Sequence, residues 1–254
     1  MATLSVLLPT YNEEDMIKDC LESVKWADEI LVVDTFSTDH TLEIAREYGA
    51  RIIQHEYINS AKQKNWAIPQ CKYEWVLQID ADERLDLQTQ REIQTIMISP
   101  ASDIDGYMIR RKNHMFGQWI RTMDAYPGWR LSLFKRDVGR YQDKEVDAVV
   151  IVPGEVGKLQ GHVLHYGFES ISHRLKSLDR YTRYESDERE KQGRHYSWFN
   201  VTVRPFAAFI YYYIFKLGFL EGTRGIILAY LKSDFLFWTY AKLWEKDIKA
   251  GKRK

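Results

Sequence analysis

The chain has 254 residues, and its 36 Lys and Arg residues balance 36 Asp and Glu residues. This balance argues against the broad basic surface with which proteins bind nucleic acid, so we expect no nucleic-acid partner. A hydrophobic content of 45% excludes a disordered or fibrous chain, and two cysteines without a CxxC spacing argue against a disulfide framework or a zinc ribbon.

Short apolar runs alternate with amphipathic segments through the N-terminal third of the chain. Helices are predicted at residues 41–48 and 60–68. Strands that alternate with helices predict a mostly parallel sheet with right-handed crossovers, so the predicted fold class is α/β, a Rossmann-like sheet flanked by helices. The strands are predicted at residues 4–8, 29–33, 51–54 and 75–79.

The rest of the chain has a less regular pattern. Strand-like pieces occur around residues 107–111, 130–135 and 146–152, and the sequence becomes helical after residue 170. We therefore expect a sheet domain of residues 1–170 followed by a helical C-terminal region of residues 171–254.

The first residues lack the basic region and the long apolar core of a secretory signal, which predicts a cytoplasmic protein. The longest apolar stretch, residues 205–215, is shorter than the roughly 20 residues that a membrane-spanning helix needs.

Polar clusters follow three of the predicted strands, at residues 10–14, 34–39 and 80–83. Because ligands bind beyond the carboxyl ends of parallel strands, we expect these clusters to meet at one edge of the sheet. Asp80 and Asp82 follow their strand directly, and paired carboxylates in such a turn suit Mg²⁺ or Mn²⁺ that also contacts substrate phosphates. For this pair taken alone, a solvated turn or a helix N-cap is the alternative.

Nine segments of the sequence carry distinctive motifs. The N-terminal segments are Ser5-Val-Leu-Leu-Pro-Thr-Tyr-Asn-Glu-Glu, Cys20-Leu-Glu-Ser-Val, Ile30-Leu-Val-Val-Asp-Thr-Phe-Ser-Thr-Asp-His-Thr, Lys62-Gln-Lys-Asn-Trp-Ala and Trp75-Val-Leu-Gln-Ile-Asp-Ala-Asp-Glu. The later ones are Leu131-Ser-Leu-Phe-Lys-Arg, His162-Val-Leu-His-Tyr, Gly218-Phe-Leu-Glu-Gly-Thr-Arg-Gly and Tyr240-Ala-Lys-Leu-Trp-Glu. Together the N-terminal segments resemble the family-2 glycosyltransferases of GT-A fold. The later segments extend the resemblance to a bacterial branch that includes lipopolysaccharide core β-glucosyltransferases, over nearly the whole chain.

The resemblance implies that residues 1–170 form a nucleotide-sugar-binding and catalytic domain. Thr10 and Tyr11 would line the nucleobase pocket, and Glu13 would hold the ribose side. Asp34 would accept a hydrogen bond from the uracil imide or its equivalent. Lys62 and Lys64 are candidates for contacts to the donor phosphates, with a solvated helix face as the alternative for each.

The resemblance also implies a divalent metal, Mn²⁺ or Mg²⁺, as cofactor. Asp82 would ligate this metal on the diphosphate of the nucleotide sugar, while Asp80 would face the ribose or a water on the metal. His165 is a candidate third ligand, although a single histidine is more often structural.

The general base is the point at which the sequence departs from the family pattern. Relatives in this branch commonly carry Val-His-Glu, where this chain has Val146-Asp147-Ala148. Asp147 is our first candidate for the base, Glu145 is the second, and Asp124 is a more distant third. A shifted base, altered acceptor chemistry and reduced activity are the three explanations that remain open.

The predicted reaction is a single displacement at the anomeric carbon with inversion, from a nucleotide sugar such as a UDP-sugar to a saccharide or lipid-linked acceptor of the cell envelope. A non-catalytic sugar-nucleotide-binding scaffold is one alternative, motivated by Ala148. A nucleotidyltransferase is another, but the Gly-rich, basic N-terminal loop of those enzymes is absent from the sequence.

Apolar and aromatic residues recur at helical spacing after residue 205, in a region that ends in a basic tail. Such a stripe packs on its own domain or on a second copy of the chain, or it binds a membrane interface. Residues 205–254 are therefore a candidate for homo-oligomer contact or for peripheral contact with the inner face of the cytoplasmic membrane.

Overall fold

The computed structural model describes residues 1–144, 148–168 and 170–251. Strands and helices alternate through the first part of the chain, and helices dominate the last part. In chain order the elements are β1 (Leu4–Thr10), α1 (Ile17–Val24), β2 (Glu29–Asp34), α2 (Thr41–Glu47), β3 (Arg51–Gln54), α3 (Ser60–Ala67), a 3-10 helix (Ile68–Gln70), β4 (Trp75–Gln78), β5 (Glu83–Leu85), α4 (Leu87–Ile98), β6 (Ile104–Met115), β7 (Gln118–Trp119), β8 (Gly128–Lys135), β9 (Arg140–Tyr141), β10 (Val150–Ile151), β11 (Glu155–His165), α5 (Ile171–Lys191), α6 (Trp198–Val201), α7 (Val203–Ile210), a π-helical turn (Tyr211–Phe215), a second 3-10 helix (Gly218–Glu221) and α8 (Thr223–Lys249).

The chain divides into two compact units. The first comprises Met1–His114 and Pro127–Gly167, and the second comprises Met115–Tyr126 and Phe168–Lys254. The segment Met115–Tyr126, which connects β6 to β8, therefore belongs to the C-terminal unit.

The main sheet belongs to the first unit and has the strand order β3-β2-β1-β4-β8-β6-β11-β5. Strands β3, β2, β1 and β4 pair in parallel, as the alternation of strands and helices predicts. β8 pairs antiparallel with both β4 and β6, while β6 and β11 pair in parallel. The predicted α/β class is confirmed, with a sheet that is parallel in its N-terminal half and mixed beyond β4.

The central strands are buried on both faces, which explains their nearly continuous apolar sequences. Side chains alternate between the two faces, so Val6 and Leu8 pack in one apolar cluster with Leu21 of α1. Leu7 packs on the opposite face, in a second cluster that includes Phe134 of β8. Helices on both faces complete the layered arrangement.

The second unit is helical, in agreement with the predicted helical extension. α8 packs against α5 and α7 along its length. A small apolar cluster around Phe168 includes Ile227 and Leu228 of α8. Glu221 is buried and accepts hydrogen bonds from the backbone N–H groups of Arg121 (2.8 Å) and Thr122 (3.1 Å), which holds residues 115–126 within this unit.

In the described part of the chain, no helix combines the length and the apolar character that crossing a bilayer requires.

A buried carboxylate joins three segments at the amino ends of β1 and β2. Glu29 accepts hydrogen bonds from Ser5 Oγ, Lys72 N (2.7 Å) and Arg51 Nε (2.9 Å). Burial disfavours the ionised form of Glu29, but these three donors outweigh it and hold the pKa of this carboxyl below its usual range.

We expect Glu29→Ala to destabilise the protein by roughly 3 kcal/mol, because buried donors lose a charged acceptor. The stabilisation is present above the ordinary glutamate pKa of 4.5 and is lost as pH falls through the lowered pKa of the folded state. The stability difference should therefore shrink in acid. Urea unfolding across this pH range measures it, and Glu22→Ala, which removes an exposed pair with Lys25, is the control and should change stability little. Equal losses in both variants would contradict the prediction.

Candidate functional site

The carboxyl ends of β1, β2, β4, β6 and β11 lie at the same edge of the sheet, because these five strands run in the same direction. Thr10, Asp34, Asp80 and His165 end these strands or closely follow them. The predicted convergence of polar residues therefore occurs at this edge, and β11 adds a histidine to it.

Asp34 is fully buried at the end of β2. Its Oδ2 accepts hydrogen bonds from Ser37 N (3.0 Å) and Gln54 Nε2 (2.9 Å), and its Oδ1 accepts one from Ser37 Oγ. A carboxylate offers about four acceptor positions, so within the described residues one position on Oδ1 stays open for a further donor. Sequence analysis missed Ser37 and Gln54 as the residues that orient this carboxylate.

Thr10 pairs with Asp34 across the sheet and is also buried. Among the described residues, nothing forms a hydrogen bond with its Oγ1. A buried hydroxyl without a partner costs free energy unless a ligand binds it. Tyr11, the next residue, leaves 57% of its surface exposed. The two residues predicted to line a base pocket thus offer an unsatisfied hydroxyl and an open aromatic ring.

The loops after β1 and β2 are tied to each other by side chains that accept backbone hydrogen bonds. Asn12 has a positive φ of 52° and accepts from Thr38 N at 2.8 Å. Glu13 N donates to Thr41 Oγ1 at 2.8 Å. These contacts hold the backbone at Asn12 and Glu13 against the residues that follow β2. Burial, and then repulsion by Asp82, raises the pKa of Glu13 to about 7.

Lys64 is buried on α3, and its Nζ lies 3.0 Å from Asp80 Oδ1. Burial disfavours both ions, but their mutual attraction outweighs it, so the pKa of Asp80 is lowered and that of Lys64 is raised. Gln78 Nε2 donates to the same oxygen of Asp80 at 2.8 Å, and Tyr141 donates its hydroxyl to Gln78 Oε1 at 2.7 Å. Lys62, the other predicted lysine, is exposed on the same helix.

Asp82 Oδ2 lies 3.1 Å from His165 Nε2, so the structure brings together two of the predicted metal ligands. Nδ1 of His165 lies 2.8 Å from Asn113 Oδ1, and it donates a proton there because an amide oxygen only accepts. In the neutral form of the ring, Nε2 is then an acceptor that faces the Asp82 carboxylate. Such a pair of facing acceptors is stabilised by a cation between them.

Glycine is required at position 167 by its distance from this pair. A Cβ there would lie 2.4 Å from Asp82 Oδ2 and 2.5 Å from His165 Nε2. Carboxylate oxygens such as Asp82 Oδ2 suit Mn²⁺ and Mg²⁺, and such ions in phosphate sites complete their coordination with water and substrate oxygens. The donor set therefore fits a nucleotide-bound metal. Within the described ranges, no cluster of three His, Cys, Asp or Glu side chains converges on one metal position.

Of the three candidate bases, the structure describes Asp124 alone. Glu145 and Asp147 lie outside the described residues. Asp124 belongs to the second unit, where it has a positive φ of 59° and its Oδ1 lies 2.8 Å from Lys216 Nζ. Ala148 is half-buried and packs against the apolar cluster of Leu7 and Phe134.

Comparisons with known proteins agree with this geometry. The profile of the family described as Glycosyl transferase family 2 matches residues 5–152. The lipopolysaccharide core biosynthesis glycosyltransferase LpsC of Rhizobium meliloti is 27% identical over 251 residues, which cover 96% of this chain and 92% of LpsC. An uncharacterized glycosyltransferase of Rickettsia typhi is 29% identical, over 98% of this chain and 89% of its own length.

Among solved structures, the mannosyltransferase PcManGT of Pyrobaculum calidifontis, in complex with GDP-Man and Mn²⁺, superposes with a TM-score of 0.57. It is 14% identical, and the match covers 96% of this chain and 88% of PcManGT. This likeness supports the predicted GT-A architecture. The family profile covers more than half of the chain and begins at the strand that carries Thr10, and on that evidence the chain belongs to glycosyl transferase family 2.

Proposed function

We propose that this glycosyltransferase is an inverting, metal-dependent hexosyltransferase. It uses a UDP-sugar as donor and a saccharide or lipid-linked glycan as acceptor, and it acts in the cytoplasm in the synthesis of a cell-envelope glycan. The observation that carries the proposal is the Asp82–His165 pair, which lies at the same sheet edge as the buried Asp34. The printed role of LpsC in lipopolysaccharide core biosynthesis supports the class of acceptor.

The donor nucleotide would bind along the ends of β1 and β2. Asp34 would accept a hydrogen bond from the imide N–H of uracil, Thr10 Oγ1 would bind a polar atom of the base, and the ring of Tyr11 would cover its face. Glu13 would bind a ribose hydroxyl. Because Ser37 and Gln54 already fix the Asp34 carboxylate, it needs little reorganisation when the base binds.

The diphosphate would lie near Asp82 and Lys64. Asp82 and His165 would hold a divalent cation, which when bound would offset the charge of the nucleoside diphosphate leaving group. Lys64 keeps its ammonium charged through its contact with Asp80, and this contact would orient Asp80 toward the ribose or a water on the metal. Lys62 is exposed and would contact phosphate only at the outer side of the site.

The transfer needs a base that removes the proton of the acceptor hydroxyl. As this proton leaves, the acceptor oxygen bonds to the anomeric carbon from the face opposite the diphosphate, and the bond from that carbon to the diphosphate oxygen breaks. We assign this role to Asp147, with Glu145 as the alternative. The apolar packing of Ala148 supports a shift of the base away from that position.

Asp82→Asn should abolish the effect of Mn²⁺ on UDP binding, because the amide keeps the shape of the side chain and removes its charge. Isothermal titration of UDP with and without Mn²⁺ measures this. Asp137→Asn, an exposed carboxylate paired with Arg136, is the matched control and should bind as the wild type does. Equal metal dependence in the wild type and Asp82→Asn would contradict the proposed metal site.

Asp147→Asn should lower the rate of sugar transfer by about 10²–10⁴-fold, the range expected for loss of a general base, with little change in UDP binding. Glu145→Gln and Asp124→Asn are the comparison variants. If Glu145→Gln shows the large loss instead, Glu145 is the base. Donor binding without transfer by the wild-type chain, over a panel of saccharide and lipid-linked acceptors, would favour the scaffold alternative.

Metal binding should release protons from Glu13. Its pKa of about 7 reflects burial and the nearby carboxylates, and a cation bound at Asp82 would offset part of that repulsion and lower the pKa. Titration with Mn²⁺ and UDP at pH 7, in buffers of different ionisation enthalpy, should therefore detect released protons. At pH 9 Glu13 is already ionised, so the release should vanish, as it should in Glu13→Gln. Proton release that persists in Glu13→Gln would assign it to another group.

A further inference from the structure

A short segment of the second unit exposes an unusual density of apolar side chains. Residues 214–220, here called the apolar turn, run from the end of the π-helical turn toward α8. Phe215 is 71% exposed and Leu220 is 63% exposed. The other exposed apolar residues of the apolar turn are Ile214, Leu217 and Phe219.

Neighbouring helices extend this apolar surface. α6 and α7 pack on each other, and α7 continues into the π-helical turn, so their exposed side chains lie in the same part of the unit. Trp198 and Phe199 of α6 and Phe206 of α7 each leave more than half of their surface exposed. Large contiguous apolar surfaces on soluble proteins mark sites of protein or membrane contact.

Three backbone N–H groups of the apolar turn have hydrogen-bond partners close by in the chain. Lys216 N donates to Tyr211 O at 2.9 Å, Leu217 N donates to Ile214 O at 3.1 Å, and Leu220 N donates to Leu217 O at 3.0 Å. Unsatisfied backbone groups are costly in an apolar medium, so these hydrogen bonds lower the cost of entering one.

The charges around this surface are mainly positive. Residues 198–232 contain four Lys or Arg residues and a single acidic residue, Glu221, which is buried and bonded within the unit. Lys216 pairs with Asp124, but Lys232 is exposed and Arg204 donates to the neutral hydroxyl of Tyr240 at 2.7 Å. An anionic partner complements this pattern, whereas a second copy of the same surface would bring like charges together.

We propose that the apolar turn, with the exposed aromatic side chains of α6 and α7, inserts into the interface of a bilayer that contains anionic lipid. The aromatic rings enter at the level of the headgroups, and the cationic side chains contact lipid phosphates. This surface belongs to the second unit and the proposed donor site to the first, so the proposal goes beyond the transfer reaction. It would hold the enzyme where an amphiphilic acceptor is concentrated.

Co-sedimentation of the full chain with vesicles tests the proposal. The wild type should bind vesicles of phosphatidylglycerol and phosphatidylcholine more tightly than vesicles of phosphatidylcholine alone. The F215S/L220S double variant should bind about tenfold more weakly or worse, because two apolar side chains no longer enter the interface. Lys232→Glu should weaken binding about fivefold or more on anionic vesicles alone, since each basic residue near such a surface contributes to attraction.

L87S/I98S is the matched control, because Leu87 (68% exposed) and Ile98 (62% exposed) are equally open apolar residues on α4. It should bind vesicles as the wild type does. Unchanged UDP and Mn²⁺ binding in F215S/L220S shows that the variant is folded and separates this test from that of the transfer reaction. The proposal is overturned if the wild type does not bind vesicles, if both double variants bind equally, or if sedimentation velocity reveals a dimer that F215S/L220S abolishes.

Discussion

The ion pair between Lys64 and Asp80 is the interaction on which the rest of the site depends. Parallel strands bring several carboxylates to one edge of the sheet, and their mutual repulsion would oppose folding. Lys64 is buried beside Asp80 and offsets part of this charge. The remaining repulsion acts on Glu13, whose pKa is raised by burial and then by the nearby carboxylates of Asp82 and Asp80. A site of this kind is prepared for a positively charged ligand.

Much of this arrangement could be predicted from the sequence, because short apolar runs and the polar residues after them are local signals. Strands β1 to β4 and the positions of Asp34, Asp80 and Asp82 follow from such signals. β5, α4 and the full length of β11 were missed, since their sequences mix polar and apolar residues. The partners of the predicted residues were missed as well. Asn113 reaches the site through the pairing of β6 with β11, and Tyr141 reaches it through two hydrogen bonds between its backbone and Asn65 of α3. No local pattern records either contact.

Position 148 shows a second limit of prediction from the sequence. The sequence shows an alanine where relatives commonly carry a carboxylate, but it does not show why. In the structure this alanine packs against the apolar cluster that contains Leu7 of β1 and Phe134 of β8, where a charged side chain would be costly. Ala148 therefore has a packing role at a position that the resemblance associates with chemistry, in agreement with our proposal that an acidic residue just before it is the proton acceptor.

The orientation of the exposed aromatic side chains depends on the number of residues in the π-helical turn at Tyr211–Phe215. Lys216 N bonds five residues back, to Tyr211 O, so this turn holds one residue more than an α-helical turn would. An α-helix advances about 100° around its axis per residue, so one extra residue in a turn changes the direction in which the side chains of that turn face. The orientation of Phe215 therefore depends on the number of residues in this turn, while the sheet that carries the chemistry belongs to the other unit.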